Sequence, residues 1–316
     1  MSNLTRSETA QWLLERDNFL ILTHRRPDGD TLGSAAVLCR GLRQLGKTAH
    51  ILENPEVTEK YAHLHAGLTT PLAQPHHVVV CVDVASPNML PEAFLPLQER
   101  IALRIDHHGT ATPFTPLELV DPLASACGDV LYDVLTEMGA KLDKEMANAL
   151  YTAVSTDTGC FRYANTNAHS HLVAAACCEA GGDLFALNQR LFETNSLARL
   201  RLQGWLIDNA IFLQEGKAVI CALPLATEKA LGVTEDDTEN ISGFPRSIAG
   251  VKIAATLRQE ESGRIKLSVR AVPGYDAGAI CANFGGGGHK GAAGASMDLT
   301  MEEAIAAVTA AIPAIQ

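Results

Sequence analysis

Four short apolar runs, residues 19–23, 48–52, 78–82 and 101–105, punctuate the first half of the chain. Runs of this length, bounded by polar and turn-forming residues, predict strands buried on both faces. Between the first two, residues 31–45 place Leu32, Ala35, Ala36, Leu38, Leu42 and Leu45 at helical spacing, and Gly46 follows as a stop. Further helices are predicted over residues 128–138, ended by a glycine, and 144–155. Strands alternating with amphipathic helices predict an α/β domain, a parallel sheet with helices on both faces.

The pattern changes after Gly181-Gly182. A polar, helix-compatible stretch from Leu184 reads as a connector, so the expected division is a first domain over 1–183, a helical linker over 184–205 and a second domain over 206–316. In that last part, residues 211–213 with 218–223 around Glu215-Gly216, and 251–258 with 265–270 around Ser262-Gly263, predict two β-hairpins. Helices are expected over 277–283 and 301–312. The second domain is therefore a smaller α+β unit.

Composition agrees with two domains: 316 residues, 47% hydrophobic and 19% charged, exceed what one core usually serves. The apolar run at 19–22 is far short of the roughly 20 residues of a membrane span and is unlike a signal peptide, so a soluble cytoplasmic protein with no membrane partner is expected. Of eight cysteines, Cys39, Cys81, Cys160, Cys221 and Cys281 stand singly among apolar or small residues, and no C-x-x-C pair exists, which fits a reducing compartment. The net charge of −11 argues against a surface that grips long nucleic acid, because such binding needs many Lys and Arg contacts to phosphates. Any nucleic-acid ligand is expected to be short.

Directly after the first strand comes His24-Arg-Arg-Pro-Asp28-Gly-Asp30, a histidine and two carboxylates in one Gly/Pro-containing loop. Imidazole with carboxylate suits Mn²⁺, Fe²⁺, Zn²⁺ or Co²⁺ better than Mg²⁺ alone. Asp-rich loops also arise from turn and capping needs, so this motif by itself decides little. But the third apolar run delivers Asp83 to its end and the fourth delivers Asp106-His107-His108. In an open parallel sheet the carboxyl ends of strands line the ligand crevice, which gathers these groups on one edge. Ser155-Thr-Asp157-Thr-Gly159 supplies a further carboxylate at the end of the third helix. Arg25 and Arg26 either add phosphate contacts or are solvated.

These four segments, in this order, resemble the motifs of the DHH phosphoesterase superfamily. Gly285-Gly-Gly-Gly-His289-Lys-Gly-Ala-Ala-Gly294 resembles the GGGHxxAAG signature of the DHHA1 domain. Their co-occurrence is similar to the stand-alone nanoRNase/pAp-phosphatase (NrnA-like) proteins of that family. The resemblance implies two Mn²⁺ ions, with Mg²⁺ or Co²⁺ as substitutes. It implies His24, Asp28 and Asp83 around one ion, and Asp30, Asp83, His107 and Asp157 around the other. Asp83 would bridge, Asp106 would orient a histidine, and His108 would contact the scissile phosphate and protonate the leaving oxygen. The implied reaction is attack on phosphorus by a water activated between the ions, in line with the leaving alkoxide.

Four consecutive glycines expose backbone N–H groups, a common way to admit a phosphate, although glycine runs are also linkers. With His289 and the helix-compatible Ala292-Ala293-Gly294 continuation, the resemblance implies that Gly286, Gly287, Gly288 and His289 hold substrate. It implies the same of Arg270, whose alternative is a surface residue at a hairpin end. Ser34, near the start of the first predicted helix, either helps bind a phosphate or, like Thr31, caps that helix. The expected substrates are oligonucleotides of a few residues, cleaved to mononucleotides, and 3′-phosphoadenosine 5′-phosphate, converted to AMP. A cyclic- or linear-dinucleotide phosphodiesterase is the alternative, with a RecJ-like exonuclease behind it because the chain is acidic and lacks room for an added nucleic-acid domain. The resemblance leaves oligomeric state open, with a homodimer as one expectation.

Overall fold

The computed structural model describes residues 2–109, 112–238 and 240–315. The chain divides into two compact units, Met1–Thr194 and Asn195–Gln316. In the first unit seven strands, β1 (Ser2–Asn3), β2 (Phe19–Leu22), β3 (Ala49–Leu52), β4 (Thr69–Thr70), β5 (Val78–Val82), β6 (Ile101–Asp106) and β7 (Leu117–Val120), form one sheet in the order β1-β7-β6-β5-β2-β3-β4. Every pairing is parallel. From β2 the chain steps outward to β3 and β4, then returns to the other side of β2 for β5, β6 and β7. The strand order therefore reverses between β2 and β5, the place where such sheets open a crevice at their carboxyl ends.

The helices are α1 (Arg6–Leu14), α2 (Gly29–Gln44), α3 (Cys127–Glu137), α4 (Lys144–Asp157), α5 (Ala168–Glu179) and α6 (Leu184–Asn188), the last continued by a π-helical turn over Gln189–Glu193. Alternate strand residues serve two cores. Phe19, Ile21, Val80, Val82, Leu103 and Ile105 pack against α1 to α5. Leu20, Leu22, Val79 and Cys81 pack against Leu90 and Phe94. That second face is covered by 3₁₀-helical segments, Pro87–Met89 and Glu92–Arg100. Pro96 lies inside the longer one and removes an N–H that an α-helix would use.

Helices α2 and α4 approach unusually closely, and glycine is the reason. A Cβ on Gly29 would stand 2.4 Å from Thr156 Oγ1, and one on Gly33 would stand 2.4 Å from the Ala149 carbonyl oxygen. No other residue fits at either point. The start of α2 is thereby held against the end of α4, which brings Asp30 beside Asp157.

The second unit holds α7 (Leu197–Asp208), β8 (Ile211–Leu213), β9 (Ala218–Leu223), α8 (Leu225–Leu231), α9 (Glu235–Thr238), β10 (Ile253–Gln259), β11 (Ile265–Ala271), α10 (Ala277–Ala282), β12 (Gly287–Gly288), β13 (Ala292–Met297) and α11 (Met301–Ala311). Its sheet has the order β12-β13-β11-β10-β9-β8, with β9 and β10 parallel and the other neighbours antiparallel. Both expected hairpins form. Leu267, Val269, Ile253 and Ala255 face α10 and α11, while Val219, Cys221 and Ala254 face α7 through Leu202 and Leu206. Ala292-Ala293-Gly294, expected to continue as helix, instead begins β13. Pairing with Arg270, Val269 and Ser268 of β11 overrides the helical preference of alanine. Among the described residues no helix is long and apolar enough to cross a membrane.

Candidate functional site

Each metal-binding candidate in the first unit sits where a strand or helix ends. β2 leads into the His24–Asp30 loop, whose exit is α2. Asp28 is the N-cap of α2, its carboxylate accepting the N–H groups of Asp30 (3.0 Å) and Thr31 (3.2 Å). The cap is thus Asp28, and neither Thr31 nor Ser34 fills that place. Thr31 instead donates its hydroxyl to the Val82 carbonyl at the end of β5 (3.1 Å), which ties the start of α2 to the strand that delivers Asp83. Asp83 follows at φ +60°, a left-handed conformation that Asp tolerates better than most residues.

The side chains meet at distances that two donors around one cation would show. His24 Nε2 lies 3.6 Å from Asp28 Oδ1 and 3.5 Å from Asp83 Oδ2. His107 Nε2 lies 3.7 Å from Asp30 Oδ2, 3.6 Å from Asp83 Oδ1 and 3.8 Å from Asp157 Oδ2. These separations are too long for hydrogen bonds and lie at or a few tenths of an ångström above the roughly 3–3.5 Å between donors each about 2.1 Å from a shared ion. Asp83 clusters with His24 and Asp28 on one side and with His107 and His108 on the other, and its buried Oδ1 has no hydrogen-bond partner. A buried carboxylate oxygen without a donor is what a bridging ligand looks like before its ions arrive. The other ring nitrogens are committed: His24 Nδ1 is 2.8 Å from the Arg25 carbonyl and His107 Nδ1 is 3.3 Å from that of Ala124. Both rings therefore present Nε2 as the free acceptor.

Charge points the same way. Burial and then the neighbouring charges of Asp83, Asp157 and Asp28 push the Asp30 carboxyl well above the usual range. Burial and the charges of Asp28 and Asp83 push Asp157 up to about 7, with His107 opposing. Against its own desolvation, Asp28 is held at about 2 by His24 and by the two N–H groups it caps. Two carboxyls, Asp30 and Asp157, that their neighbours' negative charge pushes toward the protonated form mark a site that positive charge would complete. The donor set, imidazole nitrogen with carboxylate oxygen, fits a pair of divalent transition-metal ions.

Asp106 bonds the ring of His108 and only the backbone of His107. Its Oδ1 accepts the N–H groups of His107 (2.8 Å) and His108 (3.2 Å) and the Nδ1 of the His108 ring (2.7 Å). Burial works against charge on that ring, but the Asp106 hydrogen bond and the nearby Asp83 charge raise it to about 9. With Nδ1 engaged by Asp106, Nε2 is the ring nitrogen of His108 left to meet another group.

Ser34 is fully buried and donates its hydroxyl to Asp30 Oδ1 (2.9 Å). That geometry removes it from the substrate and makes it a prop for a ligand. Asp30 also accepts the N–H groups of Cys127 (2.7 Å) and Gly128 (3.1 Å) at the start of α3, and Asn165 donates to Asp157 Oδ2 (3.2 Å). The sequence reading missed these supports. Gly29 and Gly33, four residues apart and so on one face of the helix, are the legible sign of the close helix contact that aligns them.

In the second unit Arg270 is half-buried on β11, opposite Ala254 and Ala292. Gly287, Gly288 and His289 are exposed, and Gly286 is partly covered. The glycine run is a tight hairpin: the His289 N–H donates to the Ala292 carbonyl (2.8 Å) and the Ala292 N–H returns to that of His289 (3.2 Å). Cβ atoms on Gly286 and Gly288 would stand 2.2 Å from the Gly294 oxygen and 2.6 Å from Ala293 Cα. Two of the glycines are thus required by packing against β13, whereas Gly285, at φ +70°, and Gly287 have open space around them.

Comparison with known proteins comes to the same place. Residues 18–154 match the DHH family, N-terminal domain, and residues 217–314 match the DHHA1 domain. The chain is 33% identical to the bifunctional oligoribonuclease and PAP phosphatase NrnA of Thermus thermophilus, over 92% of this chain and 88% of that one. It is 26% identical to the protein of the same name in Bacillus subtilis, over 89% and 90%. Among solved structures, an exopolyphosphatase-related protein from Bacteroides fragilis superposes with a TM-score of 0.82 at 24% identity, over 97% and 95% of the chains.

Proposed function

Because the chain belongs to the DHH phosphoesterase family and carries the DHHA1 domain, we propose that it is a Mn²⁺-dependent hydrolase of short oligoribonucleotides and of 3′-phosphoadenosine 5′-phosphate. The observation that carries this reading is the meeting of two groups at Asp83: His24, Asp28 and Asp83 on one side, and on the other Asp30, His107 and Asp157, with Asp83 Oδ1 3.6 Å from His107 Nε2. Relatives that match end to end bear the name oligoribonuclease and PAP phosphatase, which supports the substrate class.

Bound divalent ions would supply an acidified water and offset the charge of the phosphate oxygens. The protein's own groups do the rest. Ser34, Asn165 and the N–H groups of Cys127 and Gly128 hold the carboxylates in place, so little reorganisation is needed when substrate enters. His108, its Nδ1 anchored on Asp106, gives a proton through Nε2 to the departing ribose oxygen. Arg270, the Gly287 N–H and His289 take a second phosphate or the nucleotide body, leaving the chemistry to the first unit. A reducing cytoplasm as its setting is supported by Cys39, Cys81, Cys127, Cys177, Cys221 and Cys281, all buried as free thiols.

A turnover panel tests the reading: 3′-phosphoadenosine 5′-phosphate, di- to penta-ribonucleotides, cyclic di-AMP, pyrophosphate and a long single strand, each with Mn²⁺ and with Mg²⁺. The dinucleotide and the bisphosphate are expected to lead under Mn²⁺, with efficiency falling as RNA lengthens. Preference for cyclic di-AMP, or for the long strand, would overturn the substrate class.

A further inference from the structure

Strand β6 carries an arginine where a buried parallel strand ordinarily carries an aliphatic residue. Arg104 is 1% exposed, and its neighbours along the strand, Leu103 and Ile105, are fully buried. Residues two apart share a face of a strand, so Arg104 and Asp106 point to the same side. On the neighbouring strands Arg104 stands opposite Cys81 of β5 and Glu118 of β7.

The guanidinium joins three segments. Its Nη2 pairs with Glu118 Oε2 at 3.0 Å, and Nη1 faces Asp106 Oδ2 at 3.7 Å. Nη1 also donates to the carbonyls of Ala85 (3.0 Å), Val84 (3.3 Å) and Thr112 (3.3 Å). Val84 and Ala85 are the two residues directly after Asp83, whose left-handed backbone has to be held by its surroundings. Asp106 Oδ2 has no hydrogen bond and faces Arg104 Nη1, while Oδ1 is occupied by His107 and His108. Glu118 in turn accepts the Phe114 N–H (3.0 Å) and fixes the loop before β7.

We propose that Arg104 is a positioning residue of the metal centre: from beneath, it sets the Asp83 turn and, through Asp106, the His108 ring. A lysine would place one charge in the same space without the fork that reaches two carboxylates and three carbonyls. The inference rests on the hydrolytic reading above for its kinetic arm, and its binding arm is independent of substrate.

The test uses Arg104→Met/Glu118→Gln, which removes the facing charges together and keeps the volume, beside Arg104→Lys and the wild type. Thermal unfolding, Mn²⁺ titration by calorimetry, and kcat and KM for a diribonucleotide at saturating Mn²⁺ are measured on each. In the double variant we expect Mn²⁺ affinity to fall about tenfold and kcat to fall about ten- to a hundredfold with KM nearly unchanged. Arg104→Lys is expected to unfold near the wild-type temperature yet recover only part of kcat. A purely structural arginine would lower the unfolding temperature and leave Mn²⁺ affinity and kcat within about threefold below it, and that result overturns the proposal. A rise in KM at constant kcat overturns it as well. Should the double variant fail to fold, Arg104→Lys is judged by the same two readouts. A wild type that binds Mn²⁺ but hydrolyses nothing sinks the functional reading, and the Mn²⁺ affinities then decide the role of Arg104 alone.

Discussion

The crevice of the first unit and the glycine hairpin of the second are built on opposite plans. Around the candidate metal centre His24, Asp30, Asp83 and Asp106 are buried, and three of them are braced: Asp30 by Ser34, Cys127 and Gly128, Asp106 by two N–H groups and a ring, His24 by a carbonyl. At residues 286–289 the groups on offer are backbone N–H groups and one exposed imidazole, held by a two-bond turn. Bond breaking needs several charges fixed before substrate arrives, and only a buried framework fixes them. Holding a phosphate that is not attacked needs donors and little else, so an exposed hairpin suffices.

The sharpest break in that contrast is Asp83→Ala. Because the two ligand groups meet at Asp83, turnover is expected to drop to background and the bound Mn²⁺ per chain to fall, while the fold persists. Full activity in a folded, Mn²⁺-supplied variant would remove the shared-ligand assignment.

A second experiment crosses variants with substrates. Arg270→Ala and His289→Ala are expected to cost a nucleotide substrate about ten- to a hundredfold in kcat/KM, the loss of one charge-assisted contact, with metal binding intact. A small generic diester, bis(p-nitrophenyl) phosphate, should feel them far less. His108→Ala should show the reverse weighting, a loss of about a hundredfold or more for a ribose leaving group and little for p-nitrophenolate, which hardly needs a proton. Equal losses across both substrates for all three variants would mean that the two regions do not divide the work.

The smallest expected effect is on stability. In the ion-free protein the Asp157 carboxyl, at about 7 against an ordinary 3.8, binds its proton more tightly folded than unfolded. That contribution is fully present below about pH 4 and is lost as pH rises through about 7. A bound cation takes the proton's place, so Mn²⁺ should raise the unfolding temperature more at about pH 8 than at about pH 5.5. The same shift at both values would disconnect Asp157 from the metal.

Much of the crevice was legible because its ligands sit in contiguous motifs at the ends of apolar runs, where a parallel sheet must present them. What escaped reading was carried by other signals. Helix α1 has almost no amphipathic contrast, and its one clear mark is the Thr5 and Glu8 capping box. β7 has a buried Glu118 in the middle of Leu117–Val120, so its alternation only makes sense once Arg104 is known to face it. β13 opens with Ala-Ala-Gly-Ala, whose local preferences say nothing of a strand, and the partner strand β11 decides. Ser34 looked like a phosphate donor at a helix start because its burial against Asp30 depends on α3 and α4, which lie about a hundred residues downstream.

Gly29 and Gly33 bear on how such proteins are recognised in genomes. Neither residue has a side chain that can touch metal or phosphate, yet a methyl group at either one would push α4 away from α2. A homologue that keeps every histidine and aspartate but carries alanine at these positions would still be counted as active by its motifs. Its ligands would be present and out of register with one another. A catalogue of living and dead members therefore has to include these two silent positions, which work as the spacer that gauges the gap rather than as jaws that grip.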